Sequence, residues 1–149
     1  MVSGEWGISA VGANGGNSKE GSTPMPILSF KDLDVWQMSM TLAEDCYHLT
    51  AAFPRSEVYS MTAQIRRAAG SVPANIAEGH GRESTGSFIQ SLRIAQGSLK
   101  ELETHLMLSE RVKLTTANCT APLLDKCHRI GKMLRSLIRS LQAGGSGNE

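Results

Sequence analysis

SMTAQIRRAAGSVPANIAEGHGR, residues 60–82, carries two stripes that only a helix brings into line. At 3.6 residues per turn, Gln64, Ser71, Asn75, Glu78 and Arg82 share one narrow polar seam, because they are seven, four, three and four positions apart. Beside it run Ile65, Ala68, Val72, Ile76 and Gly79, all apolar or small, a side suited to close packing on neighbouring helices. The segment is therefore amphipathic and expected to be buried on more than one side. Pro73 lies within it, where the ring removes a backbone donor and crowds the carbonyl of Ala69, so a kink or break is expected. Asn75 is the side chain expected to satisfy that freed carbonyl, and Gly79 and Gly81 are expected to form the turn that follows.

On either side the same period recurs. A first helix is expected from an N-cap at Asp32 to about Thr50, with Val35, Leu42 and Leu49 repeating every seven residues. Pro54 closes it off, and the second helix is expected to begin at Pro54 or Ser56. Ser84 is the N-cap candidate of a third helix ending near Arg111 or Lys113, whose seam is Phe88, Leu92, Ala95, Leu99, Leu102 and Leu106. Ser91, Gly97 and Ser98 are small enough to admit a neighbouring backbone. A last helix starts at Thr116 or Thr120, the later start placing Pro122 in the first turn, and carries Leu124, Cys127, Ile130, Leu134, Leu137 and Leu141 on its apolar side.

Composition favours an all-α chain over a β-sandwich: 40% of the 149 residues are hydrophobic but only 5% aromatic. The domain is expected over 30–142, after a disordered extension at 1–29 and before a flexible tail at 143–149. Three cysteines, Cys46, Cys119 and Cys127, have no paired spacing, which fits reduced thiols in the cytoplasm. No apolar run approaches a membrane span, and no signal segment is evident.

QIRRAAGSVPANIAEGHGR, with FKDLDVWQMSMTLAEDCY and FPRSEVY before it and FIQSLRIAQGSLKELETHL and IGKMLRSLIRSL after it, resembles the four-helix-bundle protein family encoded in intervening sequences of bacterial 23S ribosomal RNA genes. The resemblance covers roughly Phe30 to Leu141 and centres on Gln64, Pro73, Asn75, Glu78 and Gly79. It implies an antiparallel up-down four-helix bundle that assembles into a ring-shaped homopentamer, and it assigns the chain no activity. A more distant similarity, to the accessory protein of diversity-generating retroelements, implies RNA and a reverse transcriptase as partners. The chain departs from the family pattern at Pro122 and at Ser87, where an acidic residue is usual and would complete a capping box with Ser84.

Lys126, Arg129, Lys132, Arg135 and Arg139 give the last helix the strongest local charge in a chain whose formal net charge is only +1. On a solvent face they suit phosphates, with Arg82 and Arg67 as an extension of the patch, and a ring of copies multiplies such contacts through avidity. The bland account of the same residues is that cations near a helix C-terminus offset its dipole and keep the surface hydrated. Structured RNA, itself and possible protein partners are thus the expected ligands; a protein-interaction scaffold is the alternative.

Catalysis has little support in the residues. Glu78 and Arg82 are an ordinary i,i+4 pair, and Asn75 has its expected task beside Pro73. His48, His80, His105 and His128 are scattered, with neither a His-x3-His nor a Cys-x2-Cys spacing, so no metal and no cofactor is expected. Gly79 and Gly81 lack the lysine and preceding strand of a phosphate loop.

Overall fold

The computed structural model describes residues 29–145. Four helices make it up: α1 (Asp34–Ala51), α2 (Met61–His80), α3 (Thr85–Arg111) and α4 (Ala117–Gly145), with short 3-10 turns at Phe30–Asp32 and Arg55–Glu57. No strand occurs among the described residues. Consecutive helices pack side by side and α4 returns to α1, so the section is a square in which α2 and α4 stand on one diagonal. The pairs Arg67–Glu101 and Ser71–Ser98, and the approach of Gly79 to Ser91, run in opposite senses along α2 and α3, which sets the up-down arrangement.

The core follows the expected seams. Leu42, Ile65, Val72, Ile76, Leu92, Leu99, Leu102, Leu106, Ile130 and Leu134 are all buried. Burying a side chain of this size stabilises the fold by roughly 1.5–3 kcal/mol. Arg66 ties α1 to α2: its Nε donates to Thr50 Oγ1 at 2.9 Å, and its guanidinium lies 4.4 Å from the centre of the Tyr47 ring.

Several expectations are corrected. Asp32 does not cap α1; its carboxylate accepts the backbone N–H of Ser29 in a capping box around the preceding 3-10 turn, and Leu33 stands at the α1 N-cap. Residues 55–57 form a separate turn after Pro54, so α2 begins only at Met61. Pro73 does not break α2, which runs unbroken to His80. Asn75 Nδ2 donates to the carbonyl of Ser71 at 2.8 Å, not to that of Ala69, because a helical side chain leans back over the turn four residues before it. Gly79 is inside the helix; a Cβ there would lie 2.6 Å from Ser91 Cβ, so glycine permits the close crossing of α2 and α3. Gly97, by contrast, faces open space.

Ser84 caps α3 as expected, accepting the Ser87 N–H at 3.1 Å, and the Ser87 hydroxyl meets the Ser84 hydroxyl at 2.8 Å in place of the acidic partner. Lys113, at φ 62°, closes α3 where glycine is usual, with Leu114 N–H donating to Ser109 O at 2.9 Å and Lys113 N–H to Glu110 O at 3.0 Å. The earlier start of α4 is the one adopted, leaving Pro122 inside its second turn. α4 also continues to Gly145, past the expected boundary at 142. The expectation of disorder before Ser29 lies outside the described residues, as does the tail beyond 145.

Candidate nucleic-acid interface

α4 contains five cations and one acid, Asp125, while α1 contains Asp34, Glu44 and Asp45 and no lysine or arginine. The basic helix therefore lies against the acidic one. Lys126 takes part in that match: its ammonium pairs with the Asp45 carboxylate across the α1–α4 boundary, both side chains being less than one third exposed. This corrects the picture of five cations projecting together into solvent. Lys126 is turned to the side of the bundle, nine residues or more from the helix end that Arg135 and Arg139 occupy.

The other four behave differently. Arg129, Lys132, Arg135 and Arg139 are exposed, and no hydrogen bond or ion pair holds any of them among the described residues. Arg129 and Lys132 stand over a groove toward α1, with Asp34, Met38 and Met133. Arg135 leans the other way, its guanidinium nitrogen and Leu99 of α3 both lying next to Gly131. Successive helical positions rotate by about 100°, so a four-residue step from Arg135 carries Arg139 further outward on the same side.

Arg67 and Arg82 do not extend this surface within one chain. Both belong to the α2 side, diagonal to α4, and both are already engaged: Arg67 with Gln64 and with Glu101 at 3.5 Å, Arg82 with Glu78. The seam of Gln64, Ser71, Asn75, Glu78 and Arg82 is thus a set of short-range ties along α2 and across to α3, where Ser71 and Ser98 hydroxyls meet at 2.8 Å.

Arg93 of α3 is a cation that the motif reading passed over. It is exposed and held by no partner among the described residues. The signal available in the sequence was an absence: 85–100 contains no Asp or Glu, like 126–145.

Burial pushes the Cys46 and Cys127 thiols up to about 12, whereas hydrogen bonds from the Thr116 and Thr115 side chains lower that of exposed Cys119. No group of three or more His, Cys, Asp or Glu able to hold a metal occurs among the described residues, and none of their helices is long and apolar enough to cross a membrane.

Residues 31–136 match the family model described as 23S rRNA-intervening sequence protein. Among solved structures, the chain is similar to a protein of unknown function from the S23 ribosomal protein family of Bacteroides thetaiotaomicron. That similarity has 28% identity and a TM-score of 0.63, covering 70% of this chain and 97% of the other. No curated protein matches.

Proposed function

Because the chain belongs to the 23S rRNA-intervening sequence protein family, we propose that it works by binding structured RNA rather than by catalysis, through the exposed cations of α4. One observation carries this reading: Arg129, Lys132, Arg135 and Arg139 are exposed and free of partners among the described residues, on a helix with no acid after Asp125. Cations that serve fold stability are commonly paired or laid over the protein, as Lys126 and Arg66 are. Four left in water are poised to displace counterions from a phosphate backbone.

Assembly into a homopentamer is part of the proposal, since copies of a modest patch bind together far more tightly than one. A cytoplasmic setting fits the three free cysteines. The scaffold reading has its own support in Val58, Tyr59, Leu108 and Val112, exposed apolar side chains just before α2 begins and near where α3 ends. The two readings separate on purification. Nucleic acid retained by the parent, and absent from a variant with Arg129, Lys132 and Arg135 changed to Glu, supports RNA binding. A parent free of nucleic acid at low salt favours the scaffold.

A further inference from the structure

The register of α3 against α4 is fixed at two points: Glu110 meets Thr120, and Leu99 lies against Gly131. Taking 1.5 Å of rise per residue from the second point, Arg93 lies about 9 Å along the bundle, between Arg135 at about 6 Å and Arg139 at about 12 Å. Arg93 also stands on the α4 side of the outer surface of α3. Successive helical positions turn by about 100°, so Arg93 lies about 100° round α3 from Glu110, the residue that meets Thr120 of α4. Ser91 and Ser98, which face α2, lie on the opposite flank of α3.

The two acid-free stretches, 85–100 and 126–145, are therefore antiparallel neighbours and form one continuous surface. Helix axes in contact are about 8–10 Å apart, a gap that arginine side chains on facing flanks readily bridge. The Cα atoms of the three arginines then fall within about 6 Å along the bundle. The Arg135 guanidinium leans back beside Gly131, so the three heads are strung over a longer stretch, several 3.4 Å nucleotide steps of a strand.

We propose that Arg93 is a phosphate-binding residue, and that the RNA surface is a two-helix face of α3 and α4 with Arg93, Arg135 and Arg139 at its centre. This deepens the reading of α4 as the RNA-binding helix and rests on it. The surface fits a sugar-phosphate backbone: its guanidiniums supply paired donors, and no carboxylate lies in either stretch to repel a phosphate. The choice of Arg93 over Lys126 separates it from a reading based on α4 alone.

The test uses the full chain and a fluorescein-labelled RNA hairpin of mixed sequence, titrated at several salt concentrations. The variants are Arg93→Glu, Arg93→Lys, Arg135→Glu and, as a control of equal charge change, Arg111→Glu at the far end of α3, which is also exposed. The expected result is that Arg93→Glu and Arg135→Glu each reduce the slope of log affinity against log salt by about one, while Arg93→Lys and Arg111→Glu keep it. Circular dichroism confirms that each variant remains helical. If Arg135→Glu reduces the slope but Arg93→Glu behaves like Arg111→Glu, the two-helix face is overturned and the α4 reading stands. If the parent binds no hairpin at low salt, both fall.

Discussion

Lys126 and Asp45 form an ion pair between the most basic helix of the bundle and its acidic neighbour, at a level where the thiols of Cys46 and Cys127 are buried beneath. The pair assigns Lys126 to the fold. Changing Lys126 to Ala should cost up to about 1 kcal/mol, as for other partly exposed pairs, and the cost should shrink as salt is raised. RNA affinity should change less than for Arg135→Ala. Denaturant titrations at two salt concentrations, with hairpin binding on the same samples, check both; an RNA loss as large as that of Arg135→Ala would return Lys126 to the interface.

Gly79 and Gly97 give opposite predictions for the same substitution. Gly79→Ala forces a Cβ to within 2.9 Å of the Phe88 ring and closer still to Ser91, so it should destabilise by roughly 1–3 kcal/mol. Gly97→Ala meets nothing within 4 Å and should stabilise by up to about 1 kcal/mol through helix propensity. Urea midpoints of the two variants read the difference in sign.

Leu99 and Leu102 are 1% and 0% exposed, at the centre of the α3 seam. Replacing either by Ala should cost roughly 2–5 kcal/mol, the range for truncating a buried leucine. Thermal or urea unfolding measures it, and a neutral result at both positions would place the core elsewhere.

The thiols give a pH dependence. In the folded chain burial holds Cys46 and Cys127 protonated up to about 12, against an ordinary thiol value near 9.0. The folded-state value is the raised one, so their contribution to stability is fully present below about pH 9 and is lost as pH rises toward 12. Alkaline unfolding should accordingly weaken when both are replaced by Ser or Ala of matched stability at neutral pH. Ellman's reagent should label exposed Cys119 quickly in the native protein and the other two only after unfolding; three equal rates would contradict the burial.

Most of the fold was legible because apolar repeats such as Phe88, Leu92, Ala95 and Leu99 translate directly into buried faces. Helix ends were harder to read. Asp32 and Asp34 are both acceptable residues at a helix start, and only the hydrogen bond from Ser29 N–H decides that Asp32 belongs to the turn before α1. The break expected at Pro73 does not occur because a proline costs one backbone bond locally, while Ile65, Val72 and Ile76 on the same helix are fully buried and keep it helical through that defect. The α4 cations were legible as a charge run. What the run hides is direction: Lys126 faces α1, Arg135 faces α3, and Arg82 and Arg67 stand on the opposite side of the square. Those placements depend on which helices are neighbours, and a period of 3.6 residues does not specify that.

The claim that α4 presents its cations to RNA is tested most directly by the salt dependence of hairpin binding, measured on the parent and on the variant with Arg129, Lys132 and Arg135 changed to Glu. Between about 50 and 200 mM salt the parent should lose affinity along a straight log-log line, and the variant, still helical and of unchanged mass by light scattering, should not bind measurably. Equal binding by parent and variant, or no binding by the parent at the lowest salt, would contradict the account.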